Sequence, residues 1–423
     1  MKKIIITAAA LSAMTTSVYA SKARILALGD ATEDNYFVED SRRIFTNAAQ
    51  IHNYKNQVLL EWGSTGAATG GALDSDDTPK AMGGFIMESG NFVYGAYLGN
   101  ESNISSSLRI ISSDINNNTA QAVLPTADNQ LDLFVGGEAG SLKWGADFIY
   151  ATSERDDTNK VKAEDKAMAL KLGVLSKNWE AYANVSLASE SEVGAGYISA
   201  AGATYTNKQK FDGKLGVQLG GNFKLADGAE VFATAKKFDW DQSVSTTKSE
   251  GGFTSYRLGY GKKFAVAKSG HAFARAFYEN IAIELEKSGT AKAELKNSLV
   301  PVVVGYEAKA NSWLTLRGSV KHNLMGTAEG KNLSSYLGTF GNHLQAAVAK
   351  NYNATTTTGY LNGKTTISNS TEVNAGASLE FGKLVVDGFV GTTAGSRTGN
   401  NNTKSGVLST DNLLTRVGMT YSF

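Results

Sequence analysis

Val417-Gly418-Met419-Thr420-Tyr421-Ser422-Phe423 closes the sequence, with Val417, Met419, Tyr421 and Phe423 alternating with Gly418, Thr420 and Ser422. A period of two puts successive side chains on opposite faces of a β-strand, here one apolar face and one of small or polar residues. The apolar face ends in two aromatics, and an aromatic ring suits the boundary between a membrane and water. The segment reads as a strand with one face in an apolar medium.

This ending resembles the terminal strand of Gram-negative outer-membrane β-barrels, in which the final aromatic, here Phe423, serves as the assembly signal. The resemblance implies an all-β antiparallel transmembrane barrel in the cell outer membrane. Membrane lipids and the barrel-assembly machinery are then its expected partners. The other end agrees: Lys2 and Lys3 precede an apolar run from Ile4 to Met14, and Val18-Tyr19-Ala20 supplies a small residue for cleavage. Residues 1–20 are expected to be a signal peptide cut after Ala20. The run is too short to cross a bilayer as a helix, which needs about 20 residues, and a lipoprotein would need a cysteine after the cut.

The chain has no cysteine, which excludes a disulfide scaffold and thiolate metal sites. The 41 basic and 40 acidic residues balance, so no global field points to nucleic acid. With 45 glycines and 3 prolines in 423 residues, composition fits many strands and tight turns. Compact turn signals occur at Ser89-Gly90-Asn91, Ala139-Gly140-Ser141, Ser176-Lys177-Asn178, Ala226-Asp227-Gly228, Lys268-Ser269-Gly270, Ala310-Asn311-Ser312 and Phe381-Gly382-Lys383. Between them lie polar stretches over 64–79, 100–130, 153–165, 190–207, 241–251, 286–292, 326–370 and 393–410. Short and long connections alternate throughout, as in outer-membrane barrels with short periplasmic turns and long outer loops. The alternation predicts about sixteen strands over 57–423, with both chain ends on the periplasmic side.

Tryptophans mark the strand ends. Trp144, Trp179 and Trp313 follow short turns, and Trp62 and Trp240 enter long loops, which predicts two aromatic girdles that Tyr421 extends. Alternation also sorts the inner face. In 211–223 it places Phe211, Leu215, Val217, Leu219 and Phe223 toward lipid, and Asp212, Lys214, Gln218 and Asn222 toward the lumen. Arg317 and Lys321 share an inward face opposite Glu372 and Glu380, and Arg257 and Arg416 join them. A lysine or arginine on the lipid face costs ~2–4 kcal/mol at the midplane, so these charges are expected inside. They either set a transverse field across a pore or pair as a ladder that braces the wall.

Residues 21–56 do not alternate. Ala23-Arg24, Ala27-Leu28-Gly29, Asp40 and Asn47-Ala48-Ala49 form a pattern that resembles the start of the long-chain fatty-acid transporter family, A-R-x-x-x-L-G followed by an acidic residue and N-P-A. Ala48 replaces the proline. The resemblance implies an N-terminal hatch carrying Arg24, Leu28, Gly29 and Asn47, and sideways exit of hydrophobic cargo through the wall. A periplasmic arm is the other reading of this segment.

No G-x-S-x-G elbow, phosphate-binding loop or paired histidine motif occurs, so neither enzyme nor cofactor nor metal site is expected. Asp74, Asp76 and Asp77 read either as a solvated acidic loop or as oxygen ligands for calcium. Apolar residues in Leu333 to Lys350 allow a short helix or a fold back into the mouth. Inward charge of both signs favours a porin-like channel for passive diffusion of small hydrophilic solutes, possible as a homo-oligomer. The alternatives are a hatch-gated transporter of hydrophobic compounds and a structural or adhesive surface barrel.

Overall fold

The computed structural model describes residues 21–30, 35–63, 80–100, 129–198, 204–267, 270–287, 289, 291–332, 363–366, 371–394 and 416–423. The signal-peptide expectation, the acidic loop at Asp74 to Asp77 and the segment Leu333 to Lys350 lie outside these residues.

Sixteen antiparallel strands make one closed barrel. They are β1 (Gln57–Gly63), β2 (Lys80–Ser89), β3 (Phe92–Leu98), β4 (Asn129–Ala139), β5 (Leu142–Asp156), β6 (Lys162–Leu175) and β7 (Trp179–Val193). β8 has two stretches, Gln209–Gly213 and Gly216–Lys224. Then come β9 (Ala229–Val244), β10 (Thr247–Ala267), β11 (Gly270–Lys287), β12 (Ala293–Lys309) and β13 (Leu314–Lys331). β14 again has two stretches, Gly363–Thr366 and Thr371–Phe381, both paired with β13. β15 (Leu384–Ala394) and β16 (Arg416–Ser422) complete the set. The barrel closes where β16 pairs with β1, with Val417 opposite Trp62 and Tyr421 opposite Val58. Closure leaves no unpaired edge, the condition for a sheet to cross a membrane.

The predicted alternation is realised on both faces of β16: Gly418 and Thr420 are buried inside while Tyr421 is 46% exposed outside. Outward aromatics and leucines such as Leu60, Phe85, Leu133, Leu172, Tyr256, Leu258, Tyr260 and Leu316 form the exposed apolar band.

Strand length is uneven. β1, β3 and β16 have 7 residues each, whereas β10 has 21. At about 3.3 Å per residue, β10 runs about 70 Å, far more than an apolar band ~25 Å tall requires. β5 to β13 therefore project past the band on the side opposite the short turns. This corrects the sequence reading of 153–165, 190–207, 241–251, 286–292 and the start of 326–370 as loops. Across 241–251, β9 and β10 continue to a two-residue turn in which Ser245 takes φ 54°. The charges that made these stretches look like loops sit on outward faces in water, as in Lys162–Glu154 (2.5 Å), Lys214–Asp241 (2.7 Å) and Lys292–Glu284 (2.5 Å).

The register corrects a second expectation. Gly213 pairs with Trp240, and Val217 with Lys237, so three residues of β8 face two of β9. This β-bulge reverses the faces across Lys214 to Gly216. Leu215, Leu219 and Phe223 do face outward, but Phe211 is wholly buried inside the barrel.

Candidate functional site

The lumen at the level of the apolar band holds residues 21–30 and 35–56. Helix α1 (Lys22–Ala27) is capped by the Ser21 hydroxyl, which accepts from the Arg24 amide. Two 3-10 turns follow, Ser41–Phe45 capped by Asp40 and Ala48–Asn53 capped by Asn47. These short elements are too small to stand alone. They persist here because almost every side chain is buried against the wall: Ala23, Ile25, Ala27, Leu28, Ile44, Ala48, Ala49 and Ile51 are at most 2% exposed.

The wall makes room for the segment with glycines. A Cβ at Gly145 would lie 2.5 Å from the Ala48 backbone, and one at Gly173 would overlap the Asn47 side chain. Gly418 and Gly376 meet Ser21 and Ala27 in the same way. Inward-facing glycine in a strand thus marks where another backbone approaches.

Buried polar groups then fix the segment on several sides. Arg24 donates two hydrogen bonds to Glu307 of β12 (3.0 and 2.9 Å), one to Asp40 (3.1 Å) and one to the Glu39 carbonyl (2.7 Å). Glu307 also receives Arg317 of β13 at 2.9 Å, and Arg317 reaches Asp387 of β15 at 2.9 Å and the Ser378 hydroxyl. Arg42 donates to Glu61 of β1 (2.9 Å) and to Asn100 (2.7 Å), while the Tyr97 hydroxyl donates to Glu61 (3.0 Å). Glu180 of β7 accepts from Arg43, Asn47 and Gln50. Arg275 of β11 donates to Asp30 (2.5 Å) and to the Gly29 carbonyl (2.7 Å). Buried ion pairs of this kind specify one docked arrangement, because undoing one strands its partner.

Electrostatics within the segment is uneven. Glu39 lies at its margin between Lys263 and Lys224 (3.6 and 3.0 Å), and these cations hold its carboxyl well below the usual range. Asp40 is fully buried, and that burial pushes its carboxyl up to about 7 despite Arg24 and the Arg42 amide. Burial lowers His52, whose ring bonds the Trp144 carbonyl at 3.0 Å.

The residues expected to line a constriction are distributed through this interior. Arg317 has a side chain 2% exposed and is part of the Arg24 cluster. Arg257 pairs with Glu279 on the next strand (2.5 Å) and covers the Phe277 ring at 5.1 Å. Lys321 stands 3.7 Å from Glu372, and Glu380 pairs with Lys309 at 2.7 Å. Arg416 opens β16, and its side chain is outside the described residues. Of the residues expected in a hatch, Leu28 packs with Phe37, Phe273 and Val303, Gly29 takes φ 70° against Ser319, and Asn47 both caps a turn and reaches Glu180. Glu61, Arg275, Glu307 and Asp387 were missed by the sequence reading. Their signal is a lone charge on the inward parity of an apolar strand, as in Leu384-Val385-Val386-Asp387.

Trp62, Trp179 and Trp313 face outward at 38%, 39% and 50% exposure, and Trp144 is half-buried. Phe423 is 50% exposed, and its amide bonds the Asn56 carbonyl. Trp240 is the correction: it is 1% exposed and points inward. It lies beside Asp239 and Asp241, above the apolar band, where the barrel wall is in water and apolar side chains turn inside.

There Trp240 stacks with Phe211 and Phe238 at centroid distances of 6.2 and 5.9 Å. Ala163, Val193, Phe253, Ile283, Leu285 and Leu295 complete this apolar interior from β6, β7, β10, β11 and β12. Tyr197, from a small hairpin of Tyr197–Ile198 and Thr204–Tyr205, packs onto it. The Asp157 carboxylate anchors that hairpin by accepting from the Ile198 amide at 2.8 Å. The interior is thus polar and ion-paired around the N-terminal segment, and in the projecting part an apolar ring cluster is interleaved with buried polar residues such as Asp165, Ser191, Gln242 and Ser249.

A closed antiparallel barrel with an apolar outer band is the architecture of Gram-negative outer-membrane proteins, and this chain has it. Neither a protein-family model nor a curated protein matches the chain. Among solved structures, it is similar to a Pseudomonas aeruginosa FadL homologue at 11% identity, covering 96% of this chain and 98% of that one with a TM-score of 0.41. It is similar to the CymD monoaromatic hydrocarbon channel at 10% identity, over 96% and 98% of the two chains, with a TM-score of 0.37. The ferric preacinetobactin receptor BauA of Acinetobacter baumannii matches at 11% identity and a TM-score of 0.42 over 80% of this chain and 54% of the receptor, so the match spans about half of that receptor's length. The cargoes in those names are properties of those proteins.

Proposed function

We propose that this chain is an outer-membrane transporter of hydrophobic compounds in which residues 21–56 act as a hatch. The observation that carries the reading is what fills the barrel: a buried, ion-paired segment at membrane level, and a cluster of apolar side chains beyond it. A porin needs a continuous wet path, and its inward charges must face water. Here Arg24, Glu307, Arg317 and Asp387 face one another. The apolar cluster around Phe211 and Trp240 marks the part of the barrel that suits cargo leaving water readily. In this reading cargo arrives at the projecting mouth, the hatch shuts the lumen to ions and sugars, and no cofactor takes part.

Proteoliposomes test this. With the full chain inserted, a hydrophobic fluorescent dye such as N-phenylnaphthylamine should equilibrate faster than across protein-free bilayers, while arabinose-driven swelling stays near the protein-free rate. Rapid arabinose swelling by the full chain, with no gain for the dye, would contradict the proposal and restore the porin reading.

A further inference from the structure

Ser21 opens the N-terminal segment and is wholly buried in the lumen, where a Cβ added to Gly418 would overlap the Ser21 side chain. The register puts Gly418 of β16 directly opposite Asp387 of β15 on one side and Glu61 of β1 on the other. Directly opposed residues have Cβ atoms about 4.5–5.5 Å apart, so Ser21 stands between two inward carboxylates. Glu61 is well served: it accepts from the Lys22 amide at 2.6 Å, from Arg42 and from the Tyr97 hydroxyl. Asp387, 1% exposed, is only half served. Its Oδ1 takes Arg317 and the Ser378 hydroxyl, but its Oδ2 is buried with no hydrogen-bond partner among the described residues. Charge is unmatched here too. Arg24 and Arg317 are linked to Asp40, Glu307 and Asp387, two guanidiniums against three carboxylates. A buried carboxylate short of a cation is costly.

The cut expected after Ala20 falls at this residue. We propose that this cut completes the hatch: the α-ammonium it creates on Ser21 pairs with Asp387 and holds the segment in the lumen. The inference rests on the hatch reading above and adds how the hatch is set. Hydrolysis adds one water across the Ala20–Ser21 peptide bond, leaving a carboxylate on Ala20 and an amine on Ser21. An α-amine has an ordinary pKa of about 7.7–8.0, so it takes a proton at neutral pH. Before the cut, Ser21 offers a neutral amide with one donor. After it, Ser21 offers three donors and the missing positive charge. With six residues, α1 opposes that charge with little dipole, whereas Asp387 and Glu61 carry full charges. Processing therefore tightens the plug, and a barrel that keeps its leader holds residues 21–56 more weakly.

The test compares three forms of the chain from Ser21 to Phe423, each prepared before refolding: free amine, acetylated amine and reductively dimethylated amine. Both reactions are run at pH 6, where lysines stay protonated. Acetylation removes the charge, while dimethylation adds similar bulk and keeps it. Peptide mass spectrometry checks that Ser21 alone is modified, and strand circular dichroism that each barrel is folded. In planar bilayers the acetylated form should open about ten- to a hundredfold more often than the free amine, the range for losing a charged hydrogen bond. The dimethylated form should stay as quiet as the free amine. In Asp387→Asn the acetylated and free forms should differ much less, because the partner is gone; if that variant does not fold, the three forms of the natural sequence still decide. Equal opening by the acetylated and dimethylated forms would overturn the proposal in favour of bulk, and no effect of either would overturn it outright. An acetylation effect undiminished in Asp387→Asn would overturn Asp387 as the partner. Steady conduction by the free-amine form would instead overturn the hatch reading on which the inference rests.

Discussion

Replacing Arg24 by methionine removes four hydrogen bonds that join the N-terminal segment to β12 and to itself. Glu307 keeps Arg317, but Asp40 is left with only the Arg42 amide among the contacts described above. Breaking a buried ion pair by deleting one partner costs about 3–5 kcal/mol. Methionine fills most of the volume, so the loss is electrostatic rather than a cavity. The barrel strands keep their ladders, and the cost falls on docking of the segment. At 1.4 kcal/mol per tenfold, the undocked-to-docked ratio should rise between about a hundredfold and a few thousandfold. Single-channel recording in planar bilayers reads this directly as brief openings that wild type rarely shows. Glu307→Gln and the double variant complete a cycle, and the two losses should be far from additive because they remove one shared contact. Openings no more frequent than in wild type, in an Arg24→Met barrel shown to be folded by its strand circular dichroism, would refute the reasoning.

Three further outcomes are expected. Asp40 has a docked pKa of about 7, above the ordinary value of about 3.9. The docked state therefore holds a proton that the undocked state releases between these values, and docking is favoured at the acid end and weakens as pH rises toward 7. Open probability should increase from pH 5 to pH 8 in wild type and stay flat across that range in Asp40→Asn. Gly173→Val should displace Asn47, costing docking about 1–3 kcal/mol without weakening a strand that valine suits; limited proteolysis would then cut within residues 21–56 while the barrel stays intact. Trp240→Ala should cost about 3–5 kcal/mol, seen as earlier loss of the near-UV circular dichroism signal on heating, because the ring is core and not girdle.

The barrel was legible because its physics is local. Alternation in Val417 to Phe423, turn residues at Gly90, Gly140 and Gly382, and outward tryptophans at 62, 179 and 313 each report a nearest-neighbour constraint. Two things broke that locality. A one-residue bulge at Lys214 to Gly216 reversed the face of Phe211, and nothing in single-strand periodicity marks a bulge. The membrane boundary also inverts the rule, since apolar residues face out within the band and in above it. Trp240 was therefore placed in a girdle. The lumen was harder still. Arg317 was visible as an inward charge and Arg24 as a residue of the N-terminal motif, but their meeting at Glu307 links positions hundreds of residues apart. Nothing in the sequence around Gly145 and Gly173 marks them as the places where Ala48 and Asn47 approach the wall.

The central claim is that residues 21–56 close the barrel. Single-channel conductance of the refolded barrel, with and without residues 21–54, tests it most directly. The account predicts that the full chain is nearly silent and that the shortened chain gives large, steady, ohmic steps. Large ohmic steps from the full chain, unchanged by the deletion, would contradict it and establish an open aqueous pore.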